Sequence, residues 1–192
     1  MSPEPIPDKS NPWRTLCSRI GYENPWIRVR EDDVLNPAGR PGLYGVVEYK
    51  NRAVGVVPID DEDHTWLVGQ YRYTQGTYEW EIPEGGCPEG EDLMDCARRE
   101  LLEETGLTAG RIEPLLGELQ LSNSVTNERA WLFIARELTQ GAAEPEETEQ
   151  LAVWRLPLAE AVAMASDGRI RDGLSVIGLL RAAALLAAGS EE

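Results

Sequence analysis

Apolar and polar positions along the chain follow first the two-residue period of β-strands and later the period of helices. Runs rich in Val, Tyr and Trp, bounded by Gly, Asn and Pro, predict strands over residues 44–50, 52–59, 65–73 and 77–83. Similar runs predict further strands over residues 117–123, 130–138 and 151–158. Strands dominate the first half and helices are interspersed and end the chain, which indicates a mixed sheet between helices.

Helical spacing occurs in three segments, over residues 91–104, 158–168 and 175–188. In the first, Leu93, Ala97 and Leu101 recur every four residues and form one apolar face. Gly106 follows at the position where a left-handed residue ends a helix. The second segment predicts an amphipathic helix, and the third a strongly apolar final helix.

Length and charge narrow the class of protein. The 192 residues, 42% of them apolar, fit one domain with an N-terminal subdomain. The net charge of −16 and the pI of about 4.5 disfavour binding to nucleic acid or to anionic lipid, since both are negatively charged. A phosphate-bearing substrate would also be repelled, unless divalent cations lie between it and the protein.

Cysteine and histidine usage excludes several kinds of site. Cys17, Cys87 and Cys96 are odd in number and form no CxxC pair, so neither a disulfide framework nor a zinc site is predicted. This cysteine usage instead predicts a reducing cytoplasm. The single histidine, His64, stands in a polar run and is interpreted as a turn residue. The chemistry must therefore come from carboxylates.

The chain carries no predicted targeting or membrane segment. Residues 1–12 are polar and Pro-rich without an apolar stretch, which predicts a flexible lead and not a signal peptide. The longest apolar run, near the C-terminus, is interrupted by Arg181 and is too short to span a bilayer. We therefore expect a cytoplasmic protein without a membrane partner.

Three acids share one face of the first predicted helix. Glu100, Glu103 and Glu104 lie three and four residues apart, where like charges repel by a few tenths of a kcal/mol per pair. A solvated helix face is one explanation. The other is a site for a hard cation such as Mg²⁺ or Mn²⁺, which requires clustered carboxylate oxygens. The glycines of the preceding PEGG segment allow the backbone to offer a carbonyl to the same point.

The spacing of the whole segment favours the second explanation. Its fixed positions run from a glycine to an aliphatic residue: Gly85, Glu91, Arg99, Glu100, Leu101, Glu103, Glu104, Gly106 and Leu107. So many positions coincide by chance in fewer than roughly one chain in ten thousand. The segment resembles the Nudix box, G-x5-E-x7-R-E-U-x-E-E-x-G-U, in which U is a bulky aliphatic residue, and it matches every fixed position.

The resemblance implies a fold and a set of roles. The expected fold is α+β, a Nudix α/β/α sandwich with a mixed sheet, preceded by an N-terminal β-strand subdomain. The expected boundaries are a flexible lead at 1–12, the subdomain at 13–52 and the catalytic domain at 53–192. Four residues would hold Mg²⁺ or Mn²⁺: Glu100, Glu103, Glu104 and, through its main-chain carbonyl, Glu84. Arg99 and Glu91 would form a buried pair that braces the helix.

The stretch VGQYRYTQGTYEWEIPEGG upstream of the box resembles that of ADP-ribose and nucleotide-sugar pyrophosphatases. By this resemblance Arg72 faces the substrate, where its guanidinium fork suits a diphosphate, and Glu81 touches the ribose or base. The alternatives are a surface arginine and a strand-edge acid. In that subfamily the N-terminal strands cross to a second subunit, which implies a homodimer, and an aromatic residue stacks on the base. Trp26 is the candidate, with an ordinary core or interface Trp as the alternative.

Downstream of the box the resemblance is partial. The acidic loop before residue 151 matches a region that carries a mobile catalytic glutamate, either Glu149 or, as second choice, Glu147, which would take a proton from the attacking water or hold a metal. The alternative is a solvated loop. A proline is expected in the family where residues 123–126 stand, and its absence leaves nucleotide sugars open beside ADP-ribose.

We therefore predict a Mg²⁺-dependent diphosphatase that acts on a nucleoside diphosphate joined to ribose or another sugar, with ADP-ribose first. The products are a nucleoside monophosphate and a sugar phosphate. One alternative is cleavage of dinucleoside polyphosphates or RNA 5′ ends, which the acidic charge and the Gln-Tyr-Arg run oppose. Another is a sensor that binds ADP-ribose-like compounds without turnover, although sensors tend to lose box carboxylates.

Overall fold

The structure, a computed structural model, describes residues 10–143 and 150–189. Within these ranges the strands are β1 (Arg14–Glu23), β2 (Ile27–Leu35), β3 (Pro41–Tyr49), β4 (Arg52–Pro58), β5 (His64–Arg72), β6 (Thr77–Glu81), β7 (Glu84–Cys87), β8 (Leu107–Leu119), β9 (Ala130–Gln140) and β10 (Ala152–Pro157). The helices are α1 (Leu93–Thr105), α2 (Leu158–Asp167) and α3 (Gly173–Gly189). The chain divides into two compact units.

The first unit takes the described chain up to Lys50 together with Ser122–Asn127. Its β1, β2 and β3 form an antiparallel sheet in sequence order. The segment Ser122–Asn127 is hydrogen-bonded to β3: the Val47 N–H donates to the Val125 carbonyl at 2.8 Å, and the Tyr44 hydroxyl donates to the Ser124 carbonyl at 2.7 Å. A segment distant in sequence therefore completes this unit.

The second unit contains two sheets. The larger has the order β7-β4-β9-β8, in which β4 and β9 run parallel and the other neighbours antiparallel. The smaller is antiparallel, in the order β10-β5-β6. The larger sheet is therefore mixed, as the resemblance implied.

Helices cover both faces of the mixed sheet because β4 alternates its side chains between them. Val54 and Val56 belong to the core cluster that α1 enters with Cys96, Ala97 and Leu101. Val57 belongs to the opposite cluster, which α2 and α3 fill. The expected α/β/α sandwich is confirmed.

Two strands depart from the sequence prediction. A strand was expected over residues 117–123, but β8 spans Leu107–Leu119. It lies at the sheet edge, where Pro114 and register shifts after it can be accommodated. The glycine pair of PEGG, for which no strand was predicted, lies in the short edge strand β7. His64, expected in a turn, begins β5 directly after one.

None of the helices in the described part of the chain combines the length and apolar character needed to cross a bilayer.

Candidate active site

Helix α1 carries the acidic segment and is capped at both ends. The Asp92 carboxylate accepts from the backbone N–H groups of Met94 and Asp95, which stabilises the first turn. Gly106 ends the helix at a φ of 72°, and its N–H donates to the Leu102 carbonyl. A side chain at Gly106 would also meet the backbone of residues 141–143. The predicted helix and its glycine stop are therefore found, with the first helical residue at Leu93.

The opposite faces of α1 have different surroundings. Cys96, Ala97 and Leu101 pack into the core, but Glu100 and Glu104 are also buried, with 8% and 3% of their surface exposed. Ionised carboxylates are costly to bury without partners. A solvated helix face does not describe these two residues, whereas Glu103 is only half-buried.

Each box carboxylate has an identified partner in the structure. One Arg99 nitrogen, Nη1, donates to Glu100 Oε1 at 2.8 Å and to Glu103 Oε2 at 2.9 Å. The Glu84 backbone N–H donates to Glu104 Oε2 at 2.9 Å. The carboxylates are thereby fixed between the helix and the strand β7, which begins at Glu84.

Gly85 lies where β7 packs directly against the Glu100 side chain of α1. A Cβ built on Gly85 would overlap all three atoms of the Glu100 carboxylate group. Only glycine leaves room for this carboxylate, because any other residue would force the strand or the glutamate to move. Packing against Glu100 thus explains why the box has a glycine at position 85.

Arg99 joins helix α1 to the loop between β7 and α1, which we call the box loop. Its guanidinium forms two hydrogen bonds of 3.0 Å with the Glu91 carboxylate and a third of 3.0 Å with the Gly86 carbonyl. The hydrogen bonds from Arg99 hold the pKa of Glu91 below its ordinary value. The pair was expected to be buried, but the side chains keep 33% and 26% of their surface exposed because the box loop lies at the surface.

A cleft of about 560 Å³ opens beside this region on the second unit. Arg72, Glu81 and Glu84 line one part of it. Arg72 Nε donates to both Glu81 oxygens at 2.9 Å, and its Nη2 donates to Glu84 Oε1 at 3.2 Å. Arg72 and Glu81 were expected to contact different parts of a substrate, and the structure instead pairs them with each other at the cleft wall.

A group of acids able to share a cation lies in the same cleft. Ligand atoms of Glu81, Glu84 and Asp172 lie within 4.8 Å of one another. In the described ranges, Glu100, Glu103 and Glu104 do not form such a group. The box carboxylates therefore do not belong to this second acidic group, of which the sequence indicated Glu81 and Glu84 as site residues but not Asp172.

The group formed by Glu81, Glu84 and Asp172 offers a donor set that fits a hard divalent cation. Glu84 Oε2 is buried and accepts no hydrogen bond, which is the environment of an oxygen that needs a positive partner. The space that Gly85 leaves keeps the Glu100 carboxylate beside β7. Carboxylate and carbonyl oxygens are the ligands that Mg²⁺ and Mn²⁺ prefer.

Burial, together with the charges of Asp172 and Glu81, raises the pKa of Glu84 well above its ordinary value. The folded protein holds the Glu84 proton more tightly than the unfolded chain does. The contribution of this proton to the free energy of unfolding is therefore complete below about pH 4 and is lost as pH rises through the raised pKa. In EDTA we expect the wild-type melting temperature to fall relative to Glu84→Gln as pH rises above about 5, the side of the ordinary Glu pKa on which the wild-type carboxyl must give up its proton. Melting curves that shift in parallel for both proteins would contradict this account of Glu84.

Other expected site residues lie elsewhere or outside the described chain. Trp26 follows the turn between β1 and β2 in the first unit and has 68% of its surface exposed, so it is not a core residue. Glu147 and Glu149 lie outside the described residues. Sequence reasoning missed Glu79, Arg171 and Asp172 in the cleft. Only Asp172 has a local signal, since its carboxylate accepts from the Ser175 N–H at 2.7 Å at the start of α3.

Comparisons with known proteins find relatives that match the part of the chain containing this sequence motif and its surroundings. The family model described as NUDIX domain matches residues 49–174, and the one described as nucleoside diphosphate sugar hydrolase N-terminal domain matches residues 13–47. The ADP-ribose pyrophosphatase of Mycobacterium tuberculosis is 31% identical over 172 residues, which cover 88% of this chain and 82% of that protein. The methanol dehydrogenase activator of Bacillus methanolicus is 32% identical over 168 residues, covering 86% and 90%.

A solved structure supports the same relationship. The crystal structure of an ADP compounds hydrolase superposes with a TM-score of 0.82 at 25% sequence identity, covering 92% of this chain and 95% of that one. The family model spans the mixed sheet, the box helix and the cleft. The chain belongs to the NUDIX family.

Proposed function

We propose that this protein hydrolyses the diphosphate bond of a nucleoside diphosphate joined to a sugar, with ADP-ribose as the first candidate, and releases a nucleoside monophosphate and a sugar phosphate. The observation that carries the proposal is the pair of buried box carboxylates, Glu100 and Glu104, held against β7 beside a cleft that contains Arg72. Relatives that cover most of the chain are named for hydrolysis of ADP-ribose and of ADP compounds.

The reaction requires a divalent cation, which we propose to be Mg²⁺ or Mn²⁺. Glu100, Glu103, Glu104 and the main-chain carbonyl of Glu84 would hold it. When bound, such a cation neutralises phosphate oxygens and acidifies a water molecule. The bound cation would also offset the electrostatic repulsion between a phosphate substrate and a protein with a net charge of −16.

The residues of the chain itself have proposed roles in binding and positioning. Arg72 keeps Nη1 available beyond its bonds to Glu81 and Glu84 and would bind the diphosphate, and Glu81 would orient Arg72 and touch the ribose or base. Arg99 and Glu91 would hold the box loop against α1, so their loss would disturb the cation site more through geometry than through charge.

Two further roles remain proposals from the family resemblance. Glu149, or Glu147 as second choice, would take the proton from the attacking water as a general base. Trp26 would stack on the base of the substrate, a role that its high exposure allows.

The substrate class is tested by incubating the purified protein with Mg²⁺ and ADP-ribose, GDP-mannose, UDP-glucose or diadenosine tetraphosphate and separating the products. We expect ADP-ribose or a nucleotide sugar to give a monophosphate and a sugar phosphate with the highest kcat/KM. Preferential cleavage of diadenosine tetraphosphate or of an RNA 5′ end would favour the alternative activity. Binding of one compound without cleavage would favour a ligand sensor.

We also propose a homodimer in the cytoplasm, in which the subdomain expected at residues 13–52 crosses to the second subunit and the part expected at 53–192 forms the catalytic domain. The two compact units adjust these bounds, since residues 51 and 52 belong to the catalytic part and Ser122–Asn127 to the subdomain. Support comes from apolar side chains exposed on the three-stranded sheet, among them Leu16, Ile20, Tyr22 and Leu43. Clustered exposed apolar residues commonly mark an interface.

The dimer is tested by light scattering coupled to size exclusion. We expect the wild type to elute with twice the chain mass and Ile20→Glu to shift toward monomer, because a charge would be buried in the interface. Leu185→Glu, at an exposed apolar position on α3, is the matched control and should remain dimeric. A wild type that is monomeric at micromolar concentration would contradict the proposal.

A further inference from the structure

The cleft continues beyond the residues to which the proposed reaction assigns a role. On β6, Glu79 and Glu81 stand two residues apart and so project from the same face of the strand. Each is buried, with 7% and 3% of its surface exposed, and each holds an arginine. Glu81 holds Arg72, and Glu79 holds Arg171 from the segment between α2 and α3. The cleft therefore contains two arginines, each fixed by a buried carboxylate.

The position of Arg171 is fixed from both sides. Its Nε donates to Glu79 Oε2 at 3.2 Å, and Nη2 contacts Glu79 Oε1. Thr77 Oγ1 donates to Glu79 Oε1 at 2.6 Å, which orients the carboxylate. The next residue, Asp172, caps α3 and thereby anchors the segment that carries the arginine. These contacts orient the guanidinium in the cleft before a ligand binds.

Arg171 nevertheless remains accessible to a ligand. Its side chain is 60% exposed, whereas that of Glu79 is 9% exposed. A guanidinium has five N–H donors, and the bonds to Glu79 occupy only Nε and Nη2. The arginine can therefore keep its carboxylate partner and donate to a second acceptor in the cleft.

The other lining residues indicate which part of a substrate lies there. Thr74, Gln75 and Thr77 contribute hydroxyl and amide groups. Among the described residues that line the cleft, none is aromatic. A nucleobase is normally held by stacking on aromatic rings, whereas the hydroxyls of a sugar need several hydrogen-bond donors and acceptors. Paired arginine and glutamate side chains supply both donors and acceptors of hydrogen bonds.

We infer, building on the proposed function, that Arg171, oriented by Glu79, binds the terminal sugar of the substrate, the one on the far side of the diphosphate from the nucleoside. Arg171 donates to sugar hydroxyl oxygens, and Glu79 fixes its orientation. Arg72 lies at the diphosphate end of the same cleft. The two arginines thus separate recognition of the sugar from recognition of the phosphates.

The test compares ADP-ribose with the methyl ester of ADP, which keeps the nucleoside and the diphosphate but replaces the sugar by a methyl group. In the wild type we expect this replacement to lower kcat/KM by about 10- to 100-fold, the effect of one or two lost hydrogen bonds. In Arg171→Gln the two substrates should differ by less than about threefold, because the interaction is already absent. The loss for ADP-ribose should appear mainly in KM.

Arg169→Gln is the matched control, since Arg169 lies on the same segment and is paired with Asp167 but does not line the cleft. It should keep the wild-type ratio between the two substrates. Glu79→Gln should reduce the ratio in the same direction as Arg171→Gln. Melting temperatures are measured for all variants, so that a general loss of folding is recognised by equal effects on both substrates.

Three results would overturn the inference. Arg171→Gln could lower both substrates by the same factor, which would assign the arginine to the diphosphate or to stability. It could leave both unchanged. It could alter the preference between adenine and guanine nucleotides, which would place the nucleoside at this end. If the wild type cleaves neither compound, the proposed function itself fails, and that outcome is distinct from the other three.

Discussion

Replacing Glu104 with glutamine is expected to lower kcat for the diphosphate substrate by about 10²–10³-fold, the cost of losing one preorganised electrostatic group. Glu104 is 3% exposed and faces β7, where its carboxylate accepts from the Glu84 N–H. The glutamine carbonyl can accept the same hydrogen bond, so the variant keeps the local structure and loses only the negative charge. The change therefore isolates the contribution of that charge to holding the cation.

The matched control is Glu113→Gln, which removes one negative charge from an exposed position on β8. It should retain activity within about twofold, since exposed charges at a distance are screened by salt. The Mg²⁺ concentration for half-maximal rate should rise in Glu104→Gln and stay constant in the control. Full activity of Glu104→Gln, with an unchanged Mg²⁺ requirement, would remove α1 from the catalytic site.

Replacing Gly85 with alanine is expected to reduce kcat/KM by about 100-fold, because displacing a reactive group by about 1 Å has effects of this size. The added Cβ would overlap the Glu100 carboxylate, so either β7 or this side chain must move. Overpacking of this kind also costs about 1–3 kcal/mol of stability. We expect a melting temperature lower by several degrees, together with a loss of activity larger than the loss of folded protein.

Gly117→Ala is the control for this variant, because a Cβ at Gly117 has no heavy atom within 4 Å and the residue also lies in a strand. It should change activity by less than about twofold, as is usual for surface substitutions. Wild-type activity in Gly85→Ala would mean that the position of the Glu100 carboxylate does not matter for the reaction.

Local signals explain why much of the fold could be predicted. The period of apolar residues and the Gly106 stop predicted α1. The helix ends at the predicted glycine, and its first residue lies two positions after the predicted one. Runs of β-branched and aromatic residues gave β4, β5, β6, β9 and β10 in the same way. Where short-range chemistry determines the element, sequence reasoning was sufficient.

Prediction failed where tertiary context overrides local preference. The first part of β8 contains Gly110 and Pro114, which indicate a turn, yet it forms an edge strand along β9. The glycine pair in β7 forms a strand because β4 provides a hydrogen-bonding partner. Neither partner can be inferred from the residues themselves.

The motif indicated candidate site residues but not how side chains in the cleft pair with one another. The box supplied Glu100, Glu103 and Glu104 by spacing alone. The pairs between Arg72 and Glu81 and between Arg171 and Glu79 depend on how β5, β6 and the segment before α3 meet. The second pair joins residues 92 positions apart, and no local pattern connects them.

Phosphorus NMR of the wild-type protein with ADP-ribose and Mg²⁺ tests the central claim most directly. We expect the diphosphate resonances to be replaced by two monophosphate resonances, from AMP and ribose 5-phosphate, with no change in a parallel sample that contains EDTA. Persistence of the diphosphate resonances with Mg²⁺ or Mn²⁺, while ADP-ribose raises the melting temperature, would show a binding protein without turnover and would contradict the account.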